Sequence, residues 1–336
     1  MSGNKGNFVR PPSRGGIKDP RNATFVVKLA DLEKQREKSR PPVPSRNETM
    51  TIGMDEVEEV TGTGAAPRPV EAPPPPASES RTIAVFAPKG GVGATTLAIN
   101  IAGTLARLGR PVVLVDLDLQ LGAVPVSLNV RPERSLAEIC REAEKSPGAL
   151  QTGLDRHGSG LSFLAQGDRI EEIAEVTAER LPRLFDALSR TFPYVVVDGM
   201  RDFGDHAVTS MDLAHLVLLV VTQDVPAVRA AGRALRLFRR LGFGPDRVRI
   251  VVNRFVKNAP VTLDAIQNAL GQPVEAVVHN DFPLVERALN LGSLLADVKP
   301  GARATRDIEA LTHHYAGIPD APVAAGGFFS RLLGGR

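Results

Sequence analysis

Residues 82–96 read TIAVFAPKGGVGATT. Residues 82–87 form a short apolar, β-branched run, the pattern of a buried strand. Residues 88–95 are rich in glycine, and residues 96–108 carry apolar side chains at helical spacing up to Gly109. Strand, glycine loop and helix in that order build a phosphate cradle. The glycines let the chain curl so that amide N–H groups point inward, and the helix N-terminus adds partial positive charge. Lys89, Gly90, Gly91, Val92, Gly93, Ala94, Thr95 and Thr96 are the cradle residues, with the Thr95 hydroxyl placed to ligate Mg2+. A dinucleotide fingerprint is the rival. Gly91-Val92-Gly93 followed by Thr96 lacks its third glycine, and a Lys-Gly-Gly start with Thr-Thr suits a nucleoside triphosphate better.

Outward from that stretch, strand and helix patterns alternate. Further strand candidates are residues 111–117, 161–164, 194–197, 216–221, 248–252 and 274–278. Helical spacing covers residues 178–190, 225–241, 262–270 and 302–315. Continuous apolar strands between amphipathic helices predict an α/β fold with a mainly parallel sheet covered on both faces. Ligands of such sheets sit at the carboxyl ends of the strands. Asp116 and Asp118 follow one strand, Asp198 another and Asn253 a third. Each has a plain alternative as a helix cap or turn residue.

KGGVGATT, VVLVDLDLQLG, YVVVDG, VVNRF and NDFPLVERALNLGSLLADV together resemble the MinD/ParA superfamily of deviant-Walker P-loop ATPases, over about residues 81–315. Within it the chain is most similar to the CpaE/TadZ branch of Flp/Tad pilus assembly. The resemblance implies a P-loop NTPase fold, ATP and Mg2+ as ligands, and a homodimer with ATP between subunits. It implies that Lys89 reaches the partner's nucleotide and that Asp118 positions the attacking water. Thr95, Asp116 and Asp198 are implied at the metal, Asn253 at the adenine edge, and residues 280–298 as the segment that closes over the base. Two departures stand out. Ala94 occupies the place of the ordinary P-loop lysine, which implies weak or slow hydrolysis and supports the CpaE-like branch, where the same pattern recurs. Asp198-Gly-Met-Arg-Asp-Phe-Gly replaces the Asp-x-Pro-x-Gly of MinD-like proteins.

The ends of the chain read differently from its middle. Residues 1–80 hold 12 of the 27 prolines and few large apolar side chains, so they predict a disordered arm. Residues 1–46 carry 11 Lys/Arg against 4 Asp/Glu, about +7, and residues 47–80 carry one Arg against 7 Asp/Glu, about −6. The formal net charge of +3 conceals that polarity. Residues 24–40 read either as a short helix that docks on a protein partner or as a solvated linker. The basic block suits nucleic acid or anionic lipid. At the other end, residues 317–327 form a linker before Phe328, Phe329, Leu332 and Leu333, which lie on one side of a short helix. That tip reads either as a membrane-targeting tail, to which two copies on a dimer would add avidity, or as a frayed terminus. The domains expected are therefore residues 1–80, 81–316 and 317–336.

Composition removes other functions. The single cysteine, Cys140, excludes a disulfide framework, a cysteine-based zinc site and an iron–sulfur cluster bound within one chain. No apolar run approaches ~18 residues, and the first residues are polar, so a cytoplasmic location is expected, with a peripheral place on the membrane or at a pole. Two tyrosines exclude the tyrosine cluster of a bacterial tyrosine kinase. Arg229, Arg233, Arg236 and Arg240 share one helical face. They suit non-specific DNA binding through phosphates or an ordinary solvent face. The expected function is an ATP-binding positioning protein of pilus type. The alternatives are a MinD- or ParA-like regulator of division, flagella or cargo, and a nucleotide-independent scaffold.

Overall fold

The central apolar runs become strands whose side chains are buried along nearly their whole length, while the edge strand at Val274–His279 is mostly half-buried. In β1 (Arg81–Phe86) only Arg81 is exposed, while β2 (Val112–Asp116) and β6 (Leu216–Val221) are buried at every position. Burial without alternation means that both faces of the sheet are covered. The structure, a computed structural model, describes residues 80–145, 150, 154–167 and 169–316. The expected arm up to residue 79, its segment 24–40, and the tail with Phe328, Phe329, Leu332 and Leu333 lie outside the described residues.

The remaining strands are β3 (Asp155–Arg156), β4 (Ser162–Leu164), β5 (Tyr194–Met200), β7 (Val248–Phe255) and β8 (Val274–His279). The eight form one sheet in the order β3-β4-β2-β5-β1-β6-β7-β8. All pairings are parallel except β3 with β4. The helices are α1 (Ala94–Arg107), α2 (Val124–Ser127), α3 (Leu136–Lys145), α4 (Leu181–Thr191), α5 (Asp205–Leu213), α6 (Val225–Arg240), α7 (Leu263–Leu270), α8 (Phe282–Leu291), α9 (Leu295–Val298) and α10 (Arg303–Ala316). α1 packs on β1, β2 and β5 and against α10, which lies on β8; α3, α4 and α5 pack in series, and α6 packs on β6 and α7. This is the doubly covered α/β fold expected.

Several boundaries differ from the pattern in the sequence. β7 runs to Phe255, so Asn253 lies inside a strand rather than after it. The extra residues pair with β8 across a register shift, Phe255 opposite His279, which no apolar run announces. α3 and α5 had no expected counterpart. α5 (DHAVTSMDL) buries only Ala207, Ser210 and Met211, so its amphipathic signal is weak. α3 buries Leu136, Ala137, Ile139, Cys140 and Ala143.

Burial pushes the Cys140 thiol up to about 12. A native chain should therefore resist a thiol reagent at neutral pH and take up one equivalent once unfolded in urea, as read by intact mass. Labelling of the native protein at the unfolded rate would contradict the burial of α3.

Candidate nucleotide site

The site is assembled where β2, β5, β1, β6 and β7 end. Residues 88–93 leave β1 and enter α1 with Gly91 at φ 77° and Gly93 at φ 87°, in the left-handed region that favours glycine. No side chain caps α1, so the N–H groups of its first turn are left for an anion. Val92 is buried and anchors the loop from below. Lys89, Gly90, Gly91, Val92, Gly93, Ala94, Thr95 and Thr96 all line one polar hollow, which also takes in Asp198 and Arg201.

Asp116 and Asp198 stand side by side as register partners on β2 and β5. Asp116 Oδ1 accepts from the Asp118 N–H at 3.0 Å, and Oδ2 accepts from the Val124 N–H at 3.2 Å. Gly122 lies against it, and a Cβ there would come within 2.6 Å of Oδ2. Burial, then the neighbouring Asp198 charge, pushes the Asp116 carboxyl up to about 7. Asp198 is raised by burial against hydrogen bonds from the Thr95 hydroxyl and the Gly199 N–H. Two buried acids with so little compensating charge invite a cation. Among the described residues no group of three or more His, Cys, Asp or Glu is placed to hold a metal. Mg2+ would therefore depend on Thr95, the two acids nearby and the phosphate oxygens of a ligand, which fits its preference for few protein ligands.

Asp118 lies outside the hollow, on a neighbouring one formed with residues 199–207. Its Oδ1 accepts from the Leu121 N–H at 3.2 Å. Arg201 Nη2 approaches Oδ2 at 2.9 Å, yet without the alignment of a hydrogen bond, so that buried oxygen keeps an unused acceptor. The departure at residues 198–204 has a definite shape. Phe203 packs tilted against Phe86 and edge-on against Phe238, with ring centroids 5.1 and 5.0 Å away, and Asp202 Oδ1 accepts from the Gly204 N–H at 2.9 Å.

Lys89 is engaged within its own chain, 3.7 Å from Asp224. Asp224 also caps α6, accepting from the Ala227 N–H at 2.9 Å. Asn253 is buried and both ends of its amide already have partners within the chain. Its Nδ2 donates to the Val92 carbonyl at 2.8 Å, and its Oδ1 accepts from the Arg254 N–H at 2.9 Å. Arg254 sits at φ 54°, a left-handed conformation uncommon for a residue with a Cβ.

Beside the cradle opens a cleft of about 210 Å3. Its apolar walls are Leu97, Val278, Phe282, Val285, Leu295 and Ile308, and it shares Gly93, Thr96 and Arg254 with the phosphate side. Asn253 lines it too. The segment after α8 is pinned to α1: Asn100 Oδ1 accepts from the Leu295 N–H at 2.8 Å, and a Cβ on Gly103 would overlap Leu294. Asn100, Arg201 and Arg254 are the site residues that sequence reasoning passed over. Asn100 had one signal, a polar residue at helical spacing from Thr96 and Thr104 within the mostly apolar run of α1. Arg229, Arg233, Arg236 and Arg240 lie on α6, all exposed, and line neither half of the site.

A family model described as the CobQ/CobB/MinD/ParA nucleotide binding domain matches residues 83–295. The septum site-determining protein MinD of Thermotoga maritima is 24% identical over 241 residues, 70% of this chain and 88% of that protein. The antiactivator FleN of Pseudomonas aeruginosa is 31% identical over 176 residues, 52% of this chain and 61% of that protein. A solved structure of MinD with Mg-ADP from Pyrococcus horikoshii superposes with a TM-score of 0.62 at 19% identity, covering 73% of this chain and all of that one. The glycine cradle and the paired acids lie inside the matched region, as does the apolar cleft apart from Ala304 and Ile308, and the chain belongs to the CobQ/CobB/MinD/ParA nucleotide-binding family.

Proposed function

We propose that the chain binds Mg-ATP, dimerises around it and uses that cycle to position an assembly, most like the CpaE/TadZ proteins of pilus biogenesis. The observation that carries the reading is the shared wall: a phosphate cradle and an apolar, ring-sized cleft meet at Gly93 and Thr96. In this reading the cradle amides hold the phosphates, and Thr95, Asp116 and Asp198 support Mg2+. Lys89 leaves Asp224 for the partner's nucleotide, and Asp118 orders the attacking water with its unused acceptor. Asn253 acts on the base indirectly by bracing Val92 and the wall of the cleft. Ala94 leaves the cradle without its usual charge, so hydrolysis is slow. No described helix is long and apolar enough to cross a membrane. Membrane contact is assigned to the terminal tail and recruitment of a protein partner to the arm, with residues 81–316 as the ATPase domain between them.

Titration with a fluorescent ATP analogue and Mg2+, followed by light scattering, tests this reading. Micromolar binding and a shift to dimer are expected, and no binding at millimolar analogue removes it. Similarity to MinD and FleN favours a second reading, a regulator of division or flagellar number, which gene neighbourhood separates from a pilus role. Ala94 favours the scaffold alternative, which predicts intact localisation in cells after Lys89→Ala or Asp118→Ala. The exposed arginines of α6 support non-specific DNA as a further partner. A salt-sensitive mobility shift that Arg233→Ala/Arg236→Ala weakens is expected.

A further inference from the structure

Three cations line the phosphate hollow: Lys89, Arg201 and Arg254. Two of them are already committed, Lys89 to Asp224 and Arg201 to Asp118. Arg254 is exposed and has no ion pair among the described residues. Its position is enforced rather than incidental. The left-handed backbone at φ 54° is one that a side chain-bearing residue keeps only when its surroundings impose it. Here Asn253 imposes it, with one end of its amide on the Arg254 N–H and the other on the Val92 carbonyl of the cradle. The Arg254 Nε consequently lies 4.0 Å from where a Cβ on Gly93 would stand. Arg254 also borders the apolar cleft, so it occupies the passage from the ring side to the phosphate side.

We propose that Arg254 supplies, from the same chain, phosphate-binding charge that Ala94 does not. Its guanidinium donates to oxygens of the phosphates nearest the ribose, where the chain of the nucleotide crosses Gly93. Arginine suits this place because its planar fork meets two phosphate oxygens at once. The inference rests on the nucleotide reading above.

The test compares ATP with inorganic tripolyphosphate on the full chain, both by isothermal titration with Mg2+. Arg254→Gln should weaken both ligands by the same factor, roughly 10- to 100-fold. Arg254→Lys should recover part of the loss. Arg254→Gly accepts the left-handed backbone without strain, so it should match the Gln variant while keeping the melting temperature of the parent. Introducing Ala94→Lys into the Gln variant should restore affinity for both ligands. A loss confined to ATP would mean that Arg254 packs on the ring, and the proposal would be overturned. It would be overturned equally by unchanged affinities. A parent chain that binds tripolyphosphate but not ATP removes the nucleotide reading and leaves the phosphate role of Arg254 standing; one that binds neither removes both.

Discussion

Gly199→Ala should destabilise the protein by roughly 2–4 kcal/mol and disturb the acid pair at the same time. Gly199 follows Asp198 at φ 88°, where a Cβ costs about 1–2 kcal/mol from backbone sterics alone. Close contact costs more. That Cβ would lie 2.7 Å from the carbonyl carbon of Leu117 and 3.0 Å from the Cα of Asp118. These are backbone atoms of the neighbouring strand end, and they cannot step aside as a flexible side chain would. They are held there by the Leu117 N–H donating to the Asp198 carbonyl at 3.0 Å. Relief requires the segment that leaves β2 at Leu117 and Asp118 to part from β5 beside Gly199. Gly90→Ala is the internal control, since nothing lies within 4 Å of its Cβ position and its φ is not positive. Urea midpoints should therefore fall sharply for Gly199→Ala and hardly move for Gly90→Ala. Equal midpoints would show that the two strand ends are not in contact.

In the absence of metal, thermal stability should decline as pH rises from about 5 to 7.5. Asp116 titrates near 3.8 when unfolded and about 7 when folded, and Asp198 is displaced in the same direction. The folded state therefore holds more protons through this window, and stability falls with pH until the folded pKa is passed. Carboxylates such as Glu172, held below the usual range by Ser135 and Arg169, act with the opposite sign, but only at lower pH. Burial is the larger cause of the Asp116 shift and the Asp198 charge the second, so Asp198→Asn should shallow the decline without abolishing it. Mg2+ with nucleotide should flatten it in the parent, because a nearby cation favours both ionised acids. Melting temperatures in EDTA and in Mg-ADP, taken across the window, check the three curves. A parent whose melting temperature rises through pH 5–7.5 in EDTA would contradict the buried pair.

The strands and the cradle were legible because they are local. A buried parallel strand is a short apolar run, and a glycine loop between strand and helix needs only adjacent residues. Asp116, Asp198 and the cradle meet in space because sheet topology brings successive strand ends together. What escaped depends on distant pairs. Asn100 meets Leu295 across 195 positions. Arg201 could be assigned to Asp118 only once β2 and β5 were known neighbours. The role of Asn253 as a brace needed the length of β7 and the position of Val92. Phe203 illustrates the same limit: in the sequence it is one residue of an irregular segment, whereas in space it completes an aromatic cluster with Phe86 and Phe238.

The Asn100 tie carries a consequence for what the site can accept. α1 begins in the cradle and, nearly two turns later, holds the segment that walls the apolar cleft. Anion seat and ring seat are therefore mounted on one rod. The tie couples their spacing, so a shift of either seat is felt at the other through α1. A compound whose ring and anion are spaced too closely must forgo one seat, and one of the right span binds with little ordering of the protein still to be done.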